Sequence, residues 1–380
     1  MKRSLAVAAL SSVIAAMSAA GSPARAGEGS VSLDTRWQRW SWERVEDGPT
    51  TDLGQVTGRL TLAYAVNPRL TLEAATGGFG LRWDGFAAEG TEESVSGPLD
   101  TRFRATYTVG DRLMFRAGLG APTGTTEFTA AELPLAQAVT ARILEMDGNR
   151  LGEGADADVG VAAAVPVGPV AVGLGVGYLF KGGYTVLEEI PEFHPGDQLS
   201  IGGGVDVSDS RWRFRVNGRT VTYTEDAFDD VEFQKEGPRT EAQVTLLRRW
   251  PATSVWGSVF WIGFENGEVL AGDGLIEEAQ KRRGDEVYAD LGVRRRFSRA
   301  LSGSLLGGVR VFSGSDLGLG EATMGVLDAA LSWDASSSVG IELSAGYRRG
   351  TLSEPEPFLG NLDEAAIAGT AAGLRLVYDF

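Results

Sequence analysis

Residues 99–120, "LDTRFRATYTVGDRLMFRAGLG", alternate apolar and polar side chains in two runs separated by a three-residue break. Leu99, Thr101, Phe103, Ala105, Tyr107 and Val109 share one face of the first run, and Asp100, Arg102, Arg104, Thr106 and Thr108 share the other. After Gly110, Asp111 and Arg112 the pattern resumes with Leu113, Phe115, Ala117 and Leu119. A period of two over this length is an extended strand with one apolar and one polar face. Two such runs across a Gly-Asp break form a hairpin.

The same unit recurs along the chain. Short connections stand at 67–69, 110–112, 167–169, 209–211, 250–253, 298–300 and 335–338, each carrying Gly, Pro, Asn, Asp or Ser, the residues that tight turns select. Seven hairpin turns and one further strand at either end predict sixteen strands. They fall near 31–44, 54–66, 70–82, 98–109, 112–121, 156–166, 169–184, 197–208, 211–224, 238–249, 254–266, 285–298, 301–313, 322–334, 337–350 and 367–380. The longer polar connections, at 45–53, 83–97, 122–155, 185–196, 225–237, 267–284, 314–321 and 351–366, all lie on the opposite edge. Such sorting predicts an all-β fold, a transmembrane up-and-down antiparallel barrel of about 16 strands, with roughly 14 or 18 if a loop is divided differently. A soluble sandwich gives no reason to sort its connections, and the fixed repeat of a solenoid is absent. Aromatic residues near strand ends, among them Trp40, Trp42 and Trp83 at one rim and Trp212, Trp250 and Trp333 at the other, suggest two interfacial girdles.

The chain ends fit export to a membrane. Lys2 and Arg3, a short apolar core at 5–20 and the "ARA" at 24–26 have the form of a cleavable signal peptide over 1–26, leaving 27–380 as the barrel. Cleavage removes three cations and no acid, so the formal net charge moves from −16 to −19, which disfavours nucleic acid as a partner. The sequence has no Cys, so a disulfide scaffold is excluded. No apolar run after residue 26 is long enough for a helical span.

The signal, the alternating strands and the terminal "GLRLVYDF" (373–380) resemble Gram-negative outer-membrane β-barrels of the porin-like kind. That resemblance implies an outer-membrane location, with lipid and lipopolysaccharide as surroundings and a homotrimer as the porin-type assembly. It also implies that Tyr378 and Phe380 form the terminal signal presented to the barrel-assembly machinery. "APTG" at 121–124, followed by a helical insert, is similar to outer-membrane families that take up aromatic compounds and hydrocarbons.

Two groups of residues are candidates for selecting solutes. The polar faces carry Arg59, Arg102, Arg104, Arg116, Arg213, Arg215, Arg219, Arg294, Arg310, Arg348 and Arg375. They read either as a basic ladder lining a channel or as local partners for lumen acids such as Glu73, Asp100, Asp290, Asp328 and Glu342. In the 122–155 loop, Leu135, Val139, Ile143 and Met146 recur at helical spacing. Pro134 sets the helix start near Glu132 or Leu133, and Gly148 stands at a C-cap. By resemblance to porins this third loop folds inward, with Glu127, Glu132, Glu145, Asp147 and Glu153 facing the arginines across a constriction; the alternative is a lid over the mouth. The acid clusters at 188–197, 225–232 and 285–290 match no calcium-loop spacing and read as a solvated surface. The single His194 stands in a loop with no Ser positioned beside it, so neither an enzyme nor a cofactor or metal site is expected. The expectation is a passive channel for small hydrophilic solutes, anions among them. The alternatives are a transporter for hydrophobic or aromatic compounds gated by the 122–155 loop, and a structural or adhesive surface barrel.

Overall fold

The computed structural model describes residues 27–43, 50–85, 92–110, 112–146, 151–187, 190–229, 231–271, 274–316, 320–353 and 364–380. The proposed signal peptide and Asp147 lie outside the described residues. Sixteen strands form one closed antiparallel barrel in chain order. They are β1 (Gly29–Glu43), β2 (Thr50–Asn67), β3 (Leu70–Asp84), β4 (Glu92–Val109), β5 (Leu113–Ala121), β6 (Asp156–Val167), β7 (Val170–Lys181) and β8 (Gln198–Ser208). The second half comprises β9 (Trp212–Tyr223), β10 (Arg239–Arg249), β11 (Thr253–Phe264), β12 (Glu286–Arg296), β13 (Leu301–Phe312), β14 (Ala322–Asp334), β15 (Val339–Leu352) and β16 (Ala365–Asp379). The strand number and the sorting of connections match the pattern read from the sequence. Closure leaves no edge open: β16 pairs with β1 from Ser30↔Asp379 to Trp42↔Ile367. Phe380 extends the pairing, exchanging backbone hydrogen bonds with Gly29 of 2.8 and 2.9 Å.

Alternation sorts the side chains. Leu60, Phe115, Leu174, Val216, Leu291, Leu343, Leu374 and Leu376 are exposed on the outer face, and their polar neighbours in sequence point inward. At the turn rim Tyr107, Trp212, Trp250, Phe297, Trp333 and Tyr378 also face outward, a belt of the kind that membrane interfaces select. The turn between β8 and β9 is held by Asp209, whose carboxylate accepts the N–H groups of Arg211 (2.6 Å) and Trp212 (2.7 Å). Those two donors hold its carboxyl below the ordinary aspartate range.

Three details differ from the sequence reading. First, the loop-rim girdle is incomplete. Trp40, Trp42 and Trp83 are 1%, 2% and 0% exposed and lie inside the barrel. Second, β4 does not keep one phase throughout. Ala75 pairs with Arg102 and Gly77 with Leu99, so Asp100 and Thr101 together oppose Thr76. This bulge shifts the alternation by one residue. Leu99 therefore points inward and is buried, whereas Phe103, Tyr107 and Val109 point outward. Third, the loops between β7 and β12 carry their own five-stranded sheet, in the order 274–277, 268–271, 231–235, 225–228 and 193–194. Phe193, Phe228 and Phe233 pack together within it. Short strands in polar loops leave too little periodicity for sequence reading to detect.

Candidate functional site

The site is the barrel interior, and its shape is set by the loop between β5 and β6. Asp100, turned by the bulge in β4, receives the N–H of Gly124 on one oxygen and that of Glu153 on the other, both at 2.8 Å. One carboxylate thus ties down both feet of the loop. Between them the chain folds into the lumen. A short helix α1 (Leu133–Ala138) starts where Pro134 requires, with Pro134 in its first turn. Just before it, Glu132 and Thr129 bond reciprocally: the Glu132 carboxylate accepts the Thr129 N–H at 2.9 Å and the Thr129 hydroxyl accepts the Glu132 N–H at 3.3 Å.

The predicted helix is cut short. It stops at Ala138, and the chain resumes as a single 3-10 turn over Arg142–Leu144, after which Glu145 adopts a left-handed backbone (φ 45°). Leu135, Val139, Ile143 and Met146 nevertheless all bury. The helical spacing thus identified the buried face even though the helix breaks. These side chains pack against Trp40, Trp42, Leu53, Leu81, Trp83, Phe312, Met324, Leu352 and Ile367 on the inner wall. The insert is therefore glued by apolar contact to the wall formed by β1–β4 and β13–β16.

Among the described acids of the loop, only Glu145 meets the predicted arginines. Its carboxylate lies 2.8 Å from Arg310 Nε and 3.7 Å from Arg348 Nε, and its backbone carbonyl accepts the Gln38 amide at 3.1 Å. A single residue at the tip of the insert thus bridges β13, β15 and β1. Glu127 is exposed, Glu132 turns back on its own loop and Glu153 pairs with Lys181 at 2.6 Å. Among the described residues the acidic constriction expected across the lumen is thereby reduced to one clamp. Arg142 adds a second anchor, 2.6 Å from Glu286 and stacked over the Phe264 ring. Glu145→Ala is expected to weaken the insert's attachment by about 1.5–3 kcal/mol, the range for hydrogen bonds to charged groups. The barrel hydrogen bonds would remain. Faster tryptic cleavage at Arg142 in the folded protein would report the loosening.

All eleven predicted arginines share the inward face, but they are not a free basic ladder. Arg102 pairs with Asp156 (3.3 Å), Arg104 with Glu73 (3.4 Å) and Arg116 with Asp158 (2.8 Å). Arg213 and Arg215 share Asp206 at 2.8 and 2.9 Å. Arg219 and Arg239 grip Glu241 at 2.7 and 2.9 Å. Arg310 also meets Asp290, Arg348 meets Asp328, and Arg375 meets Asp34 at 3.3 Å. Arg294 donates to the Ser302 hydroxyl at 3.0 Å. Arg59 alone of the eleven has no polar partner among the described residues. Desolvation explains the pattern: a charge held near a low-dielectric wall needs a close counter-charge. Asp34, Asp156, Asp158, Asp206 and Glu241 were missed as partners. Their signal was phase, since each sits on the same polar face of its strand as the arginines.

No protein-family model matches the chain, and no curated protein matches it in sequence. Several solved structures are similar in shape. One is a "TodX deltaS2S3 mutant monoaromatic hydrocarbon channel", 9% identical over 94% of this chain and 91% of its own, with a TM-score of 0.49. Another is the outer membrane protein OpdK from Pseudomonas aeruginosa, 10% identical over 93% of this chain and 99% of its own, with a TM-score of 0.44. The CymD monoaromatic hydrocarbon channel is 11% identical over 94% of this chain and 89% of its own, at 0.42. At these values the likeness carries no information about a solute. The neighbours are Gram-negative outer-membrane channels, and what this chain is similar to is their barrel architecture.

Proposed function

We propose that the chain is an outer-membrane channel for passive diffusion of small hydrophilic solutes, narrowed by its inward-folded 122–155 insert. The observation that carries this reading is a lumen of paired charges crossed by an insert whose tip is clamped through Glu145 to Arg310 and Arg348. A charged wall holds water and suits polar solutes. A clamped insert sets a fixed aperture in place of a swinging lid. Long loops would face outward and short turns the periplasm.

Pairing also revises the expected charge preference. With nearly every lumen arginine neutralised by an acid, selection by net charge would be weak. The hydrophobic-transporter reading loses support for a related reason. The apolar side chains of the insert, Leu135, Val139 and Leu144 among them, are consumed in packing against the wall and are not offered to a solute.

Planar-bilayer recording with a salt gradient tests the proposal. An ohmic conductance with weak ion preference is expected, and a barrel that stays closed would overturn it. The terminal pairing carries a separate proposal, that Tyr378 and Phe380 serve as the assembly signal. Phe380→Ala is expected to slow insertion in cells, read as unfolded, heat-unshifted protein on gels, while the purified protein still folds in detergent.

A further inference from the structure

Four charged residues on four strands stand in one cross-strand row beneath the insert. Glu342 of β15 is in register with Arg375 of β16, Arg375 with Asp34 of β1, and Asp34 with Arg59 of β2. The row crosses the seam where the last strand closes on the first, and its signs alternate. One step nearer the insert a second row runs through Ser344, Gly373, Arg36 and Thr57. Both rows line a cavity of about 320 Å³, a volume at the small-molecule end of ligand sites. Gln38, the next inward residue above Arg36, already holds the Glu145 carbonyl of the insert, so the cavity lies directly below the clamp.

The middle of the charged row is satisfied and its ends are not. Arg375 pairs with Asp34 at 3.3 Å, and the same Asp34 accepts the Ser32 hydroxyl at 3.1 Å. Among the described residues neither Arg59 nor Glu342 has a partner of opposite charge, and Glu342 accepts only the Ser332 hydroxyl, at 2.8 Å. Strands lie about 4.8 Å apart, so the two end residues are about 14 Å apart at the backbone. An arginine reaching from one end and a glutamate from the other shorten that span to the length of a small molecule. Among the described residues nine of the eleven predicted arginines meet an acid; here the partners are missing at both ends of one cavity.

We propose that this cavity is a binding subsite for a small zwitterion of the short-peptide class, its carboxylate at Arg59 and its ammonium at Glu342. It deepens the channel reading and rests on that reading for how the solute arrives. A dianion would meet Asp34 and Glu342, and a dication would meet Arg36, Arg59 and Arg375, so neither satisfies both ends.

Calorimetric titration of the full barrel in detergent with glycylglycine, succinate and putrescine tests the subsite. Glycylglycine is expected to bind about tenfold or more tightly than either of the others, the loss of one charged hydrogen bond being worth about that factor. Arg59→Glu and Glu342→Arg should each weaken it about tenfold. The double exchange should restore it, because a zwitterion can turn end for end. Heat-shifted gel migration establishes that each variant is folded. If either exchange fails to fold, Arg59→Gln and Glu342→Gln replace it, with the same tenfold loss expected. Equal affinity for succinate, no measurable binding, or a double exchange weaker than both singles would overturn the subsite. A conducting barrel that fails these titrations loses the subsite and keeps the channel. A closed barrel loses the channel, and the calorimetry still decides the subsite.

Discussion

Glu241→Ala is expected to lower the stability of the folded barrel by about 3–5 kcal/mol, the cost of removing one member of a buried ion group. Glu241 lies between Arg219 and Arg239 at 2.7 and 2.9 Å, and all three side chains are 3–6% exposed. Arg219 stands directly across from Glu241 in the β9–β10 register, while Arg239 is two residues along on β10 itself. Removing the carboxylate leaves two guanidinium groups facing each other where water hardly reaches. Urea titration of folding into phospholipid vesicles measures the change. A loss below about 1 kcal/mol, the level of a surface pair, would mean that the lumen here is wetter than the burial indicates. Replacing Arg102, whose side chain is 28% exposed, should cost much less.

The second large effect is expected at Trp83. This ring is fully buried, with its centroid 5.9 Å from that of Trp42, in the cluster that receives the insert. Trp83→Ala should cost about 3–5 kcal/mol through lost burial and the cavity left behind. It should also release the insert, so its signature is double: a lower unfolding midpoint and a noisier or larger single-channel conductance. Trp333→Ala provides the contrast. That ring is 50% exposed on the outer face, and its removal should leave conductance unchanged. Equal conductance changes in both variants would sink the assignment of Trp83 to the insert's support.

The two predictions differ in how much of each was legible from the sequence. The arginine of the first was visible: "RWRFRVNGR" places Arg213, Arg215 and Arg219 on one face by alternation alone. Its partner was not, because Glu241 reaches Arg219 only once β9 and β10 are set in register. Trp42 and Trp40 could have been assigned to the lumen, since they are in phase with Asp34, Arg36 and Gln38 along β1. Their aromatic character suggested an interface instead. Trp83 offered the same clue, since it is in phase with Glu73 along β3, whose alternation is unbroken while the extra residue of the bulge sits on β4.

By itself the sequence determined the barrel: strand number, the two unlike rims, the outward apolar set and the terminal strand ending on Phe380. These follow from a period of two and from turn chemistry, which are local properties that every hairpin repeats. Only the tertiary structure decided what the lumen is. Whether Arg310 stands free or pairs with Glu145, 165 positions away, depends on a loop folding inward and on strands closing into a ring. So does the row from Glu342 to Arg59, which exists only across the seam between the two ends of the chain. Charge pairing acts over a few ångströms, and those distances are fixed by register and closure rather than by neighbours in the chain.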